Sequence, residues 1–230
     1  MKSEIKDKGL FESGELKIKW AYNHMPLLKS IEKDFAKDKP FKDKKIALSV
    51  HLEAKTAVLC RVLATGGAEM YVTGSNPLST QDDIAAALVK GGMNVFALHG
   101  ATDEQYERHM REVLSVGPDI IIDDGGDLVH LMHTRFRELL PKVLGGCEET
   151  TTGITRLKKM QKNRQRTLFL ILLRCHIPSS KNHIANCPAL CYDRRKTCGR
   201  QTTMPHIELL YKDAHILVCR KPVGVAAQGE

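Results

Sequence analysis

Four short segments of this chain are rich in apolar residues on both faces: residues 46–50, 70–73, 95–98 and 120–122. A strand that alternates apolar and polar side chains is covered on one face, whereas a strand that is apolar throughout must be buried on both. Helices packed on both faces of a parallel sheet provide that burial. The sequence therefore predicts an α/β fold, a doubly wound, Rossmann-like parallel sheet.

Helix signals precede, separate and follow the predicted strands. Apolar residues at helical spacing predict helices over residues 20–37, 55–64 and 129–140. Ser79, followed by Asp82 three residues later, is predicted to cap a further helix. Thr102 with Gln105 forms a capping box for another. This alternation of strands and helices supports the doubly wound arrangement.

Charge is unevenly distributed along the 230 residues. The net charge of +8 at neutral pH would ordinarily favour a nucleic-acid partner. Residues 1–153, however, carry a net charge of −3, whereas residues 154–203 carry 12 Lys or Arg and a single acidic residue. Because the basicity belongs to one segment, we do not expect a nucleic-acid partner for the α/β region.

These patterns divide the chain into four regions. Residues 1–19 form an N-terminal arm, and residues 20–162 form the α/β domain. Residues 163–203 are basic, contain four of the seven cysteines and follow no regular period. We expect that region to be disordered or to be the translation of a shifted reading frame. Residues 204–230 contain two apolar runs around a turn, which predicts a short hairpin.

Two other interpretations of the basic region remain open. It contains five side chains of types that bind zinc: His176, His183, Cys187, Cys191 and Cys198. Only Cys187 and Cys191 have the spacing of a zinc-ligand pair, and no second pair follows, so we expect no metal site. The excess of positive charge would also attract the phosphates of RNA.

No apolar run in the chain approaches the ~18 residues of a membrane span. The N-terminal residues lack the apolar core of a secretory signal. Seven cysteines in a chain of this length indicate reduced thiols. We therefore expect a cytoplasmic protein with no membrane partner.

Polar side chains follow two of the predicted strands, at the edge where doubly wound sheets bind ligands. His51, Glu53, Lys55 and Thr56 follow the first strand, just before a predicted helix. Asp124, with a second aspartate before it and two glycines after it, follows the fourth strand. Paired carboxylates suit hydroxyl recognition or proton transfer. Helix caps and turns are the alternative use of such residues.

The loop over residues 147–153 is the third candidate element. It contains a run of carboxylates and hydroxyls that includes Glu149, Thr150, Thr151 and Thr152. Such groups match the hydroxyls of a sugar, and a turn stabilised by threonine hydroxyls is the alternative.

Five motifs occur in a fixed order and are more specific together than apart. They are KWA…HMP, H…KTAVL, GSNPLSTQDD, IDDGGDL and EETTTG. In this order they resemble the substrate-binding N-terminal domain of the adenosylhomocysteinase family, the S-adenosylhomocysteine hydrolases, over residues 20–160.

The resemblance implies a cytoplasmic, homotetrameric enzyme that binds NAD tightly and acts on S-adenosylhomocysteine. In this family the ribose 3′-hydroxyl is oxidised, homocysteine is eliminated, water adds, and the ketone is reduced back. The products are adenosine and L-homocysteine.

The resemblance also implies roles for individual residues. Asp124 would be the acid–base carboxylate near the ribose, and Glu149 would hold the ribose hydroxyls. His51 would lie near the 5′ carbon and the leaving group. The residues that would reach NAD are Thr150, Thr151 and Thr152.

The start of the helix after the first strand would face the substrate. Thr56 belongs to this helix start. Glu53 and Lys55 stand where the family usually has a threonine and a polar residue that contacts adenine. The details of adenine recognition therefore do not follow from the family pattern.

The family pattern is not matched beyond this region. The family continues with a segment that supplies a catalytic lysine and then with an NAD-binding domain. No Gly-x-Gly-x-x-Gly motif occurs in this sequence. We therefore expect a fragment that lacks the hydride acceptor site and is inactive on its own.

Residues 204–228 resemble a different family, the start of large-subunit-type RNA pseudouridine synthases. Arg220 stands where asparagine is usual, and Lys-Pro-Val-Gly follows it. An RNA-binding or pseudouridine-synthase-related fusion protein is therefore the alternative function.

Overall fold

A computed structural model of the chain describes residues 3–162, 170–172, 208–212 and 217–220. Its central feature is a sheet of five parallel strands: β1 (Lys45–Ser49), β2 (Glu69–Thr73), β3 (Asn94–Val95), β4 (Ile120–Asp123) and β5 (Gly145–Glu148). The strands lie in the order β3-β2-β1-β4-β5. A short segment, β6 (Leu170–Leu172), pairs in parallel with β5.

Seven helices accompany the sheet within the described residues. They are α1 (Phe11–Asn23), α2 (Pro26–Asp38), α3 (Ala54–Thr65), α4 (Asp82–Lys90), α5 (Asp103–Ser115), α6 (Asp127–Arg135) and α7 (Thr151–Lys162). Two cores result, because α1 to α4 pack on one face and α5 to α7 on the other.

Neighbouring residues of one strand contribute to different cores. Ile46 and Leu48 of β1 lie in the first core, whereas Ala47 between them lies in the second. Successive side chains of a strand point to opposite faces, so both faces of β1 must be apolar. This confirms the predicted doubly wound sheet and the reason given for it.

Two predicted helix starts have different outcomes. The Thr102–Gln105 capping box is confirmed, with both reciprocal hydrogen bonds present. The prediction for Ser79 is wrong, because α4 has Gln81 as its N-cap and no side-chain cap. The Ser79 hydroxyl lies instead 2.5 Å from Nδ1 of His51.

Several boundaries also differ from the predictions. The helix predicted over residues 20–37 is two helices, because α1 ends at Asn23 and Pro26 begins α2. Thus α1 crosses the predicted boundary at residue 19, and its Ile18 is buried. The helix predicted over residues 129–140 ends at Arg135, and a short 3₁₀ turn follows it.

The strand β5 was not predicted. Its sequence, Gly-Gly-Cys-Glu, has no apolar run. It is a strand because it pairs in register with β4, from Ile120 beside Gly145 to Asp123 beside Glu148. Long-range pairing of this kind leaves no local pattern in the sequence.

The C-terminal part of the chain is described in short pieces. Strands β7 (Glu208–Lys212) and β8 (Leu217–Arg220) pair antiparallel. The zinc candidates lie outside the described residues: His176, His183, Cys187, Cys191 and Cys198. Among the described helices, none combines the length and apolar content that crossing a membrane requires.

The contact between α1 and α4 generates a prediction about stability. A Cβ atom on Gly14 would lie 2.0 Å from the carbonyl oxygen of Asp83 and 2.9 Å from Cβ of Ala87. Gly14→Ala must therefore push the helices apart, and we expect a loss of about 1–3 kcal/mol in the free energy of unfolding.

Urea unfolding of Gly14→Ala and Gly91→Ala measures this effect. Gly91 is the matched control, because it has a negative φ and its Cβ would meet only ordinary contacts at 3.4 Å or more. Equal free energies of unfolding for the two variants would contradict the proposed close approach.

Candidate functional site

The crevice between β1 and β4 is the natural ligand position of this sheet. Strand order reverses between these two strands, and the helices that follow them pack on opposite faces. The loops at the carboxyl ends of β1 and β4 therefore diverge and leave an opening between them. His51 lies on the first loop and Asp124 on the second.

His51 and Asp124 meet across this opening. Nε2 of His51 lies 3.6 Å from Oδ2 of Asp124. The Asp124 side chain is 9% exposed and the His51 side chain 52% exposed, so the imidazole faces solvent above a nearly covered carboxylate. Such an arrangement can bind a polar ligand and transfer a proton to or from it.

Two serines after β2 support this pair, and the sequence analysis assigned neither to the site. Ser75 Oγ donates a hydrogen bond of 2.8 Å to Oδ2 of Asp124. Ser79 Oγ lies 2.5 Å from the other ring nitrogen of His51. Three loops of the sheet thus converge on the same two side chains. The position of Ser75 directly after a predicted strand and a glycine was the available sequence signal.

Glu149 lies beside this cluster, on the loop after β5. Glu149 as a whole residue is exposed, but its carboxyl group is partly buried. This partial burial raises the pKa of the carboxyl group. The charges of Asp124, Glu148 and Glu53 raise this pKa further, and His51 lowers it. The crevice therefore gathers acidic groups that can accept hydrogen bonds from hydroxyls.

Asp123 lies directly below the crevice and is fully buried. Burial raises its pKa, backbone N–H donors that include Val129 lower it, and the charge of Glu148 raises it. The resulting pKa is about 7. Its two oxygens accept hydrogen bonds from the N–H groups of Asp124 (3.0 Å) and Val129 (2.9 Å). Asp123 thus holds the start of α6 and the backbone of Asp124.

The residues predicted at the start of α3 have different environments. The Thr56 hydroxyl is buried and donates a hydrogen bond of 2.6 Å to the carbonyl oxygen of His51, which holds the turn. Lys55 Nζ lies 3.6 Å from Oε1 of Glu53, and the Lys55 side chain is 68% exposed. Lys55 therefore presents its ammonium group to solvent at this end of the sheet.

The three threonines that were predicted to reach NAD also have different environments. The Thr150 hydroxyl donates to Oε1 of Glu148 (2.7 Å) and accepts from the N–H of Gly153 (3.0 Å). Thr151 and Thr152 lie in the first turn of α7 and are exposed. Of the three, only these two are open to a further ligand.

The loop between β4 and α6 is fixed by side chains that were not predicted. Arg156 of α7 forms an ion pair with Asp127 and donates to the carbonyl oxygen of Gly125 at 3.2 Å. The Tyr106 hydroxyl lies 3.2 Å from Oδ2 of Asp127. Burial and the Asp127 carboxylate hold the pKa of Tyr106 well above its usual value, so it remains a donor.

The described residues contain no candidate metal site. Within the described residues, no group of three or more His, Cys, Asp or Glu side chains is placed to hold a metal ion.

Comparison with known proteins identifies the same region. The family model of S-adenosyl-L-homocysteine hydrolase matches residues 2–139. An S-inosyl-L-homocysteine hydrolase of Methanococcus maripaludis is 55% identical over 158 residues, which are 69% of this chain and 38% of that protein. The adenosylhomocysteinase of Aquifex aeolicus is 50% identical over 161 residues, which are 70% of this chain and 38% of that protein.

These matches agree with the resemblance that the five sequence motifs carry. The chain spans 38% of the length of these curated relatives. The chain belongs to the S-adenosyl-L-homocysteine hydrolase family.

Proposed function

We propose that residues 3–160 form the nucleoside-binding part of a hydrolase that acts on a purine nucleoside thioether of homocysteine. The observation that supports this proposal is the convergence of His51, Asp124 and Glu149 from three different strand ends. A ribose is the ligand whose hydroxyls match this group of carboxylates and imidazole.

Each of these three side chains has a proposed role. Glu149 accepts hydrogen bonds from the ribose hydroxyls, because it is accessible and its neighbours are acidic. Asp124 moves a proton at the ribose, since it is nearly covered and held in place by Ser75. His51 lies at the solvent side, where the leaving thioether would be.

NAD is the cofactor that members of this family use. Reversible oxidation of a ribose hydroxyl is the chemistry that it supplies when bound. The exposed hydroxyls of Thr151 and Thr152, at the start of α7, fit a role in holding it. Thr150 is already engaged by Glu148 and Gly153, so we assign it to the positioning of the helix start.

We propose nucleoside binding as the activity of the described residues, because the side chains that converge in the crevice are ones that can hold a ribose. The homotetramer and the cytoplasmic location implied by the family remain predictions. The family match over residues 2–139 favours this function over the RNA-directed alternative.

The base of the nucleoside is the second part of the proposal. The relatives named above include hydrolases of S-inosyl-homocysteine and of S-adenosyl-homocysteine. Lys55, at the position where the family contacts the base, offers only donors. Hypoxanthine presents a carbonyl oxygen at position 6, whereas adenine presents an amino group. We therefore propose that Lys55 favours inosine over adenosine.

Glu149→Ala tests the ribose assignment. We expect the affinity for both inosine and adenosine to fall at least about tenfold, because hydrogen bonds to a charged acceptor contribute about 1.5–3 kcal/mol. Isothermal titration of each nucleoside measures it. Glu138→Ala, which removes an exposed carboxylate from the turn before β5, is the matched control. Unchanged affinity in Glu149→Ala would show that the ribose assignment is wrong.

Lys55→Gln tests the base assignment. Removing the ammonium donor should lower the ratio of inosine affinity to adenosine affinity by about tenfold, or ~1.4 kcal/mol. Glu53→Gln removes the ion-pair partner of Lys55 and keeps the ammonium group, so it should preserve that ratio. A ratio that is the same in Lys55→Gln and the wild type would remove Lys55 from base recognition.

A further inference from the structure

Four polar side chains form one row across the sheet beneath the crevice. The strand register aligns Thr73 with Ser49, Ser49 with Asp123, and Asp123 with Glu148. Each of the four is at most 1% exposed. Residues aligned on neighbouring parallel strands project to the same face, which here is the face covered by α5, α6 and α7. The row therefore lies between the sheet and these helices.

Glu148 connects the two loops that carry the candidate site. Its Oε1 atom accepts hydrogen bonds from the N–H of Gly125 (2.8 Å) and the N–H of Thr150 (2.9 Å). Gly125 follows Asp124 in the chain, and Thr150 follows Glu149. One buried oxygen thus fixes the backbone next to each of the two site carboxylates.

Gly153 is an independent sign that this carboxyl group occupies a defined place. A Cβ atom on Gly153 would lie 2.1 Å from Oε1 and 2.2 Å from Cδ of Glu148. The α7 backbone therefore approaches the carboxyl group more closely than any residue with a side chain allows. Glycine at this position makes room for Glu148.

The second oxygen of Glu148 lies in a group of titratable side chains. Oε2 has no hydrogen-bond partner among the described residues. The carboxyl group interacts with Asp123 on β4, and the charge of Glu148 raises the pKa of Asp123. Tyr106 of α5 also interacts with the charge of Asp123. The Tyr106 hydroxyl lies 3.2 Å from Oδ2 of Asp127 on α6, and Asp127 is paired with Arg156 of α7.

We propose that Glu148 is the positioning residue of the candidate site: its buried carboxyl group holds the Asp124 loop against the Glu149 loop. That this positioning serves ribose binding rests on the proposed function, whereas the connection between the two loops does not depend on it. Glu148 itself is buried and has no access to a ligand.

Gly153→Ala tests the connection without changing any charge. The added methyl group must displace Oε1, so hydrogen-exchange protection of the Gly125 and Thr150 amides should fall by about tenfold or more. Adenosine and inosine affinity should fall with it. Thr155→Ala, on the exposed side of α7, is the matched control and should change neither.

A double-mutant cycle makes the test specific to Glu148. Glu148→Asp shortens the side chain and makes room for the methyl group that Gly153→Ala adds, so the losses in the double variant should be smaller than their sum. A residue that affects folding only would show additive losses. Additive losses in protection at Gly125 and Thr150 would overturn the proposal.

Glu148→Gln adds a spectroscopic readout. The variant removes one negative charge beside Asp123, so the titration of Asp123 should move to lower pH. The amide resonances of Asp124 and Val129, which donate to Asp123, report this titration. We expect a midpoint near 7 in the wild type, as the pKa of about 7 requires, and a lower midpoint in Glu148→Gln. An unchanged midpoint would overturn the electrostatic interaction between the two carboxyl groups.

The outcomes for Glu148 and for the proposed function are separable. Hydrogen exchange and the amide titration are measured without nucleoside, so they decide the role of Glu148 directly. Unchanged protection in Gly153→Ala would overturn that role even if the wild type binds nucleoside. A wild type that binds neither nucleoside would overturn the proposed function, while the exchange result still decides the positioning role.

Discussion

The alignment of the carboxyl ends of β2, β1, β4 and β5 is the constraint on which the site depends. It places Thr73, Ser49, Asp123 and Glu148 side by side, all on the face covered by α5 to α7. A slip of one residue in any pairing would turn a strand's side chains to the opposite face. The loops that carry His51, Asp124 and Glu149 all begin from this aligned edge.

Burying two neighbouring carboxyl groups is costly, and the structure offsets the cost with backbone donors. Asp123 accepts from the N–H groups of Asp124 and Val129, and Glu148 accepts from those of Gly125 and Thr150. Each of these donors belongs to a loop or helix start at the site. The same hydrogen bonds that these buried carboxyl groups accept therefore determine where Asp124 and Glu149 lie.

Because of this arrangement, adjacent carboxyl-bearing residues have different roles. Asp123 and Glu148 end their strands and are buried, whereas Asp124 and Glu149 are the next residues and face the crevice. The buried pair supports the backbone, and the outer pair is available for a ligand. Burial and the neighbouring negative charge of Glu148 raise the pKa of Asp123 to about 7.

Features that depend on local patterns could be predicted from the sequence. Apolar strands predicted the parallel sheet, and the Thr102–Gln105 pair predicted the start of α5. Features that depend on distant contacts could not. The strand β5 exists through its pairing with β4, and Ser79 contacts His51 across a loop instead of capping α4.

The site shows the same limit. Position after a strand was sufficient to predict that His51 and Asp124 lie at one edge of the sheet, where the structure places them 3.6 Å apart. It did not distinguish Glu148 from Glu149, because that difference depends on where β5 ends and on which face each side chain lies. Thr56 and Thr150 were predicted as ligand contacts, and in the structure their hydroxyls hold turns. Whether a hydroxyl is free depends on the backbone that surrounds it.

The most direct measurement is the mapping of inosine and adenosine binding on the isotope-labelled chain by NMR. If the account is right, amide resonances of the loops after β1, β4 and β5 shift on titration. The changes should be largest around His51, Asp124 and Glu149, and in Glu149→Ala they should require a higher nucleoside concentration. Shifts confined to other parts of the chain, or no shifts with either nucleoside, would contradict it.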